Sequence, residues 1–351
     1  MKLNVSARIS RRGQRLNTTC STRPAMRAQT GLTLVELLVA MAISTLITIA
    51  ALSALIISRQ GFTAVDVASQ LRDNARFTTD LVQRLAVQAG YRDVQFITNP
   101  LVGAVGIPIA PPPNISGFNN ALASASDPTN VSTARAVGPA LDGSDILILR
   151  YQASETFPGS GVSDNTMIDC AGNPSTSLPT DPSDRVLSVL HVKVNQGEPS
   201  LMCTTVNPIT GIFSVQPVIQ GVENFQVLYG VDNVTPNTAP VAGATTDDVP
   251  DRYLRADQMT VAADVPGTNA NWARVRSIRV GMVLRGPPGS AQDNVALTFF
   301  PLGRAKNSSG GAVGSAMASA NDPGTTFQPG ADGRLRQVVT FTVHLRNSQR
   351  L

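Results

Sequence analysis

The chain has 351 residues and a formal net charge of +4, with 28 lysines and arginines against 24 aspartates and glutamates. The charge is unevenly placed, because seven basic residues and no acidic residue precede Gly31. From Leu32 onward, 21 basic residues stand against 24 acidic ones, so this part of the chain is mildly acidic. Nucleic-acid binding depends on a basic surface, and the composition therefore argues against that class of function.

An apolar segment runs from Leu32 to Ile57 without glycine, proline or any charged residue except Glu36. As a helix it would be about 39 Å long at ~1.5 Å per residue, which is enough to cross the hydrocarbon core of a bilayer. Because the basic cluster precedes it, the positive-inside rule puts the N-terminus in the cytoplasm and the residues after Arg59 on the far side. A plain single-pass anchor explains this length and orientation, but it does not explain Glu36.

Glu36 is an unfavourable residue for such a segment. A carboxylate costs roughly 2.5–3.5 kcal/mol at the centre of a transmembrane helix, and less near an end where it reaches the interface. If the chain were cut between Gly31 and Leu32, the new α-amino group would lie one helical turn from Glu36, or would face the Glu36 of an adjacent copy. Each charge would neutralise the other, and the carboxylate would also suit the positive end of the helix dipole.

Gly31 is followed by LTLVELLVA at Leu32–Ala40, and this run resembles the prepilin motif of type IV pilins and type II secretion pseudopilins. The resemblance implies that a membrane prepilin peptidase cuts between Gly31 and Leu32 and methylates the new N-terminus at Leu32. It also implies that Glu36 assists the docking of subunits into a helical filament. Leu32 stands where phenylalanine is more usual in that family.

The segment after the apolar span has the pattern of an amphipathic helix. Residues 61–89 contain no proline, and residues of the expected buried face recur at spacings of three and four: Val67, Leu71, Ala75, Thr78, Leu81 and Leu85. Gly90 is the expected C-terminal stop. The two segments together predict one helix from about Leu32 to Ala89.

The sequence thus predicts four parts: a leader at 1–31, the transmembrane half of the helix at 32–58, its periplasmic half at 59–90, and a head at 91–351. Met26 would start an ordinary short leader, and we expect translation to begin there. The head is predicted to be β-rich, with one or two lobes, from short aliphatic and β-branched runs separated by Pro/Gly/Ser/Asn-rich loops. The clearest strands are 146–150, 186–194, 225–231, 275–284 and 338–345. The expected fold class is α+β, a long N-terminal helix packed on an antiparallel head.

A second resemblance covers nearly the whole chain after the leader. Five stretches are similar, in order, to PilW-type minor pilins: Gln70–Phe77, Ala89–Arg92, Gly221–Asp232, Asp251–Asp257 with Trp272–Val280, and Arg334–Asn347. The resemblance implies a protein that joins other minor pilins and the major pilin, primes type IV pilus assembly at the inner-membrane machinery, and sits at the pilus tip. It would be anchored in the inner membrane by a single pass, with its head in the periplasm before incorporation into the pilus.

Two alternatives stay open from the sequence. A type II secretion pseudopilin would share the helix and its motif, and a tip adhesin or DNA-uptake receptor would bind through loops of the head. A PilW-type minor pilin would support twitching motility and adhesion.

Three cysteines occur, and Cys20 precedes the expected cut. Cys170 and Cys203 remain on the periplasmic side, where a disulfide is the expected state. Metal binding is the rival interpretation, but neither a CxxC spacing nor a nearby histidine pair supports it.

The sequence offers little enzyme chemistry. His191 and His344 both fall within strand patterns, and no GxSxG, HExxH or Walker A motif is present. Asp247, Asp248 and Asp251 are clustered carboxylates, which calcium prefers, but they lack the EF-hand pattern. A solvated loop is the better interpretation of these three residues. Alternation places Arg274 and Arg276 on one strand face and Arg279 on the other, which gives no continuous basic track for nucleic acid. We therefore expect no catalytic residues, no metal and no cofactor.

Overall fold

A computed structural model of the chain describes residues 31–93, 112–124, 126–130, 141–181, 183–207, 210–241, 243–291, 293–303 and 325–347. The chain divides into two compact units between Ile56 and Ile57. The helices are α1 Leu34–Gln88, α2 Ala256–Met259 and α3 Val265–Trp272. The strands are β1 Ile115–Phe118, β2 Ile146–Tyr151, β3 Val186–Asn195, β4 Glu198–Val206, β5 Phe213–Gln220, β6 Val222–Val231, β7 Arg252–Leu254, β8 Val275–Arg285 and β9 Arg336–His344.

Helix α1 is continuous over 55 residues. The part of α1 in the second unit buries five of the six residues of the predicted stripe: Val67, Leu71, Ala75, Thr78 and Leu85. Leu81 is only partly buried, and its neighbour Val82 is fully buried instead. The helix ends before Gly90, which adopts a positive φ of 81° that favours glycine. The amphipathic pattern and the stop at Gly90 therefore both correspond to observed features.

The described strands form two antiparallel sheets. The first has five strands in the order β1-β2-β3-β4-β5, so each strand pairs with the next one along the chain. The second has four strands in the order β7-β6-β8-β9. Gly221 joins the last strand of the first sheet to the first strand of the second, with φ at 88°, and a Cβ there would lie 2.7 Å from the carbonyl oxygen of Arg285. A side chain at this crossing would therefore collide with β8.

One hydrophobic core is shared by α1 and both sheets in the second unit. It includes Leu85 of α1, Leu149 of β2, Leu201 of β4, Phe225 of β6 and Val280 of β8, all of them almost fully buried. The two faces of β2 are both covered, because Ile146 and its alternate neighbours pack in a second, smaller cluster with β3. The prediction of an α+β protein with a long helix and an antiparallel, β-rich head is confirmed.

The five strands named in the sequence analysis are all observed, to within three residues at each end. In β9 the odd-numbered residues from Val339 to Val343 pack against the core, as the alternation predicts. Strands β1, β4, β5 and β7 were not predicted. A signal for β4 is present at Gln196 and Gly197, whose positive φ angles of 52° and 83° form the two-residue connection from β3.

A network of ion pairs joins the start of β4 to the second sheet. Glu198 accepts from Arg285 at 2.8 Å and from Arg334 at 2.9 Å, and Arg285 also contacts Glu223 at 3.0 Å. Arg336 bridges Glu223 and Asp332, each at 2.7 Å. The hydrogen bonds from Arg334 lower the pKa of Glu198, and those from Arg336 lower the pKa of Asp332.

The two lowered carboxyl pKa values predict a loss of stability in acid. A carboxylate whose pKa is depressed by folding contributes stability that is present above its unfolded pKa, about 4, and is lost as the pH falls through its folded pKa. We expect Glu198→Gln to lower the free energy of unfolding by about 1–2 kcal/mol at pH 7, and by much less at pH 3. Denaturation of the detergent-solubilised protein, followed by circular dichroism at each pH, measures this difference.

The matched control is Asp293→Asn, at an exposed carboxylate for which no ion pair is seen with any described residue. It should follow the wild-type pH profile. A Glu198→Gln variant that lost stability in acid as steeply as the wild type would contradict the assignment of the network.

Candidate functional site

The predicted cleavage point lies just outside α1. Gly31, Leu32 and Thr33 precede the helix, are exposed and have no regular secondary structure. A peptidase needs an accessible, non-helical peptide bond, and the bond between Gly31 and Leu32 has both properties.

Thr33 and Glu36 form a capping box at the first turn of α1. The backbone N–H of Thr33 donates to Glu36 Oε2 at 2.9 Å, and the N–H of Glu36 donates to Thr33 Oγ1 at 3.3 Å. The Thr33 hydroxyl also donates to Oε2, at 3.0 Å. These bonds satisfy backbone N–H groups that the start of a helix leaves without partners. Glu36 therefore has a role within its own chain that the sequence analysis did not foresee, although the Thr-x-x-Glu spacing signals it.

The capping box uses only part of the carboxylate. Glu36 Oε1 accepts no hydrogen bond from the described residues, and no ion pair of Glu36 occurs among them. The side chain is exposed. It can therefore accept a further charged donor without giving up the helix cap.

The first unit presents an uncovered apolar surface. Its most hydrophobic 18-residue window has a mean hydropathy of 2.3 and none of it is buried, so α1 contains one candidate membrane span by length and composition. The exposed large side chains in this unit are Leu32, Leu34, Val35, Leu37, Leu38, Val39, Met41, Ile43, Leu46, Ile47, Ile49, Leu52, Leu55 and Ile56. So much apolar surface is stable only in lipid or against other apolar helices.

The hydroxyl groups within this span are bonded to their own helix. Ser44 donates to the carbonyl of Ala40 at 2.7 Å, and Thr48 donates to the carbonyl of Ser44 at 2.7 Å. Thr45 and Ser53 make equivalent bonds of 2.8 and 2.9 Å. In an apolar medium a polar group without a partner is costly, and these bonds remove that cost. Among the polar side chains described in this segment, Glu36 is the one that carries a charge and has an oxygen without a hydrogen bond from a described residue.

The C-terminal end of α1 is closed by residues that sequence reasoning missed. The Nδ2 group of Asn347, just beyond β9, donates to the carbonyl oxygens of Val87 at 3.0 Å and Ala89 at 3.2 Å. It thereby satisfies carbonyl groups that the last turn leaves without partners. Because these residues lie more than 250 positions apart, no local sequence signal identifies the cap.

Cys170 and Cys203 are joined in a disulfide, with Cα atoms 5.6 Å apart. The bond attaches the connection between β2 and β3 to β4. Beside it, the Gln88 amide of α1 bonds the backbone of Ile168 in both directions, at 3.0 and 3.1 Å. The cysteine pair therefore holds a loop that α1 also contacts.

The remaining candidates from the sequence have structural roles. His191 is buried on β3, with Nε2 2.9 Å from Thr204 Oγ1, and burial lowers the pKa of His191 to about 4. His344 is exposed at the end of β9. Asp248 pairs with Arg276 at 3.0 Å, and Asp251 accepts the backbone N–H of Asn233 at 2.7 Å.

Asp247 accepts a neighbouring backbone N–H at 3.0 Å. Arg274 donates to the carbonyl of Asn233 at 2.9 Å, and the Arg279 guanidinium lies 4.9 Å from the centre of the Tyr253 ring. Within the described ranges, no group of three or more His, Cys, Asp or Glu residues is placed to hold a metal ion.

We expect the Cys170–Cys203 bond to stabilise the mature protein. The chain-entropy estimate for a loop of this length is about 3.5–4 kcal/mol, so the double variant Cys170→Ser/Cys203→Ser should lose roughly that free energy of unfolding. Peptide mapping without reductant should recover the two cysteines as one linked pair. Cys20→Ser, in the expected leader, is the control and should change nothing. Free thiols at both positions in protein isolated without reductant would refute the pairing.

Two family models match the chain. The model described as prokaryotic N-terminal methylation motif matches residues 26–52, and the model described as type IV pilus-assembly protein W matches residues 189–347. The first contains Gly31, Leu32 and Glu36, and the second extends from β3 to Asn347. No curated protein matches the sequence.

Among solved structures, a type IV-like pilin from Thermus thermophilus is similar at 15% identity and a TM-score of 0.35, covering 80% of this chain and 98% of the pilin. A score this low does not by itself establish a common fold. The assignment depends on the two family models, which match separate parts of the chain in the order expected of a pilin. The two matches support a PilW-type minor pilin of the type IV pilus.

Proposed function

We propose that the protein works by assembly, as a membrane-inserted minor pilin that joins other minor pilins and the major pilin to prime type IV pilus assembly. The observation that carries the proposal is the uncovered apolar surface of the first unit with a single carboxylate, Glu36, at its first turn. Such a helix is suited first to lipid and then to a bundle of similar helices. The match to type IV pilus-assembly protein W favours a pilus over a secretion system.

The membrane arrangement follows from charge. Basic residues cluster before the span and α1 carries no positive charge until Arg59, so the positive-inside rule places the head on the periplasmic side of the inner membrane. The β-rich head would then make the lateral and tip contacts of a priming complex, which would support twitching motility and adhesion. Pilins are structural proteins, and the proposed mechanism requires no catalytic step.

In this proposal, prepilin peptidase cuts the exposed bond between Gly31 and Leu32. The released α-amino group of a neighbouring subunit then approaches the unused oxygen of Glu36. Within an apolar bundle the two charges attract strongly because little water screens them. The capping box supports this role, since it fixes the carboxylate in one place before the partner arrives.

Substitutions at Glu36 separate docking from helix capping. Glutamine serves in a capping box as glutamate does, but it carries no charge. We expect Glu36→Gln and Glu36→Ala both to reduce co-purification with other pilins by at least about tenfold, because each removes one partner of a desolvated charge pair. Thr33→Val is the matched control, since it removes the hydroxyl of the cap and keeps the carboxylate; it should co-purify nearly as the wild type does.

The readouts are pull-down from detergent-solubilised membranes and the number of surface pili, with membrane insertion checked by alkaline extraction. A different pattern would show that Glu36 acts only as a helix cap. In that case Glu36→Gln would co-purify as the wild type does, and both Glu36→Ala and Thr33→Val would lose co-purification. The docking role would then be withdrawn.

Cleavage is tested by mass spectrometry of the N-terminus. Protein from membranes or sheared filaments should start at Leu32 and carry a methyl group on its α-amine when prepilin peptidase is active. In a strain without the peptidase, the chain should retain Gly31 and the residues before it. An uncleaved N-terminus in both strains would reduce the helix to a simple anchor and would overturn the proposed route of assembly.

A further inference from the structure

The connection between β2 and β3 is long and ordered. It runs over residues 152–185, of which all but 182 are described, and short bridges pair Glu155 with Ser163 and Ile168 with Pro174. Connections longer than about 12–15 residues are uncommon in compact domains unless they have a function or are disordered. This one is held by covalent and hydrogen bonds, so a functional reason has to be considered.

Three attachments fix this connection. The disulfide joins Cys170 to Cys203 on β4, and the Gln88 amide bonds the backbone of Ile168 at 3.0 and 3.1 Å. Arg84 donates to the carbonyl of Thr166 at 3.2 Å. A loop held at these points keeps its shape before any ligand arrives, which lowers the entropic cost of binding.

The fixed loop forms one wall of a cavity of about 460 Å³. This volume is within the range of small-molecule sites, about 300–1,000 Å³. Ser175, Thr176 and Ser177 lie consecutively on the wall, and their hydroxyl groups make no hydrogen bond to any described residue. Arg185, immediately before β3, lines the same cavity.

No described carboxylate forms an ion pair with Arg185. Its one side-chain hydrogen bond to a described residue is to Asn114 Oδ1, at 2.6 Å, and its buried Nε has no acceptor among them. Burial lowers the pKa of Arg185 to about 9, and repulsion from Arg150 and Arg92 acts in the same direction. A partly buried guanidinium near two others is unfavourable unless an anion compensates it.

The two carboxylates of the cavity wall do not supply that anion. Asp169 accepts the backbone N–H groups of Ala171 and Asn173, each at 2.9 Å, and no ion pair joins it to Arg185. Asp184 accepts from the hydroxyl and the backbone N–H of Thr180 at 2.7 and 3.0 Å. Both carboxylates therefore shape the loop, and neither pairs with Arg185.

We propose that this cavity binds a sugar that bears a carboxylate, with Arg185 holding the acid group and the hydroxyls of Ser175, Thr176 and Ser177 bonding the sugar hydroxyls. A planar guanidinium matches a carboxylate through two parallel hydrogen bonds. A row of free hydroxyl groups is suited to a polyol, because each one both donates and accepts. This function is separate from assembly through α1.

Isothermal titration calorimetry on the full chain, in a detergent without a sugar headgroup, tests the proposal with glucuronate, glucose and inorganic phosphate as probes. Glucuronate should bind at least about tenfold more tightly than glucose, and Arg185→Gln should weaken glucuronate binding by at least about tenfold. Ser177→Ala should weaken glucuronate binding several-fold and leave the preference for glucuronate over glucose in place. Arg252→Gln, at an exposed arginine on β7, is the control and should bind glucuronate as the wild type does.

Each other outcome overturns the proposal. The site would be rejected by any of three results: no heat with glucuronate, equal binding of glucose and glucuronate, or unchanged glucuronate binding by Arg185→Gln. Tighter binding of phosphate than of glucuronate would reject the class of ligand. If Arg185→Gln lowers the thermal unfolding midpoint and the variant is not folded, Ser177→Ala decides, because it removes one cavity hydroxyl and leaves the Arg185–Asn114 bond intact. Unchanged glucuronate binding by a folded Ser177→Ala variant would then count against the site.

Discussion

The rest of the molecule depends on helix α1, whose two halves have different surroundings. The first half is uncovered, and the second half packs on the head. Up to Ile56 the large side chains of α1 are apolar on every side and uncovered, with Glu36 the one charged residue. From Val67 onward the helix buries a single stripe, and its outer face carries charges such as Asp73 and Arg76. The change from an all-round apolar surface to an amphipathic one is the pattern of a helix whose first part is a candidate membrane span and whose second part packs on a water-soluble head.

The amphipathic half of α1 stabilises the head by contributing its apolar stripe to the hydrophobic core. Its stripe completes a core to which both sheets contribute, so neither sheet has a separate hydrophobic centre on the side facing α1. Polar contacts then fix the sheets to each other, because Glu198 of the first sheet and Glu223 of the second share the guanidinium of Arg285. A partly buried charge network of this kind adds orientation more than stability, since desolvation offsets much of its attraction.

The features that the sequence predicted are those with a local period. The helix stripe at Val67–Leu85 and the alternation at Val339–Leu345 repeat within a few residues, so each could be identified without knowing the fold. Strand β5 was missed because most of its residues are exposed and it contains Pro217. Thr33 was overlooked although its spacing from Glu36 is a known helix signal. Asn347 and the partners of Glu198 could not be found, since they meet only after the strands have paired.

The cap that Asn347 places on α1 also sets an order of events. Synthesis makes α1 first, and Asn347 follows Val87 by 260 positions. Until Asn347 is made, the carbonyl groups of Val87 and Ala89 lack the amide that closes them, and β9 is missing from the edge of its sheet. A chain without β9 and Asn347 would therefore have no amide on these carbonyl groups and an open edge at β8. The same asparagine distinguishes a finished subunit from an unfinished one, before either meets a partner.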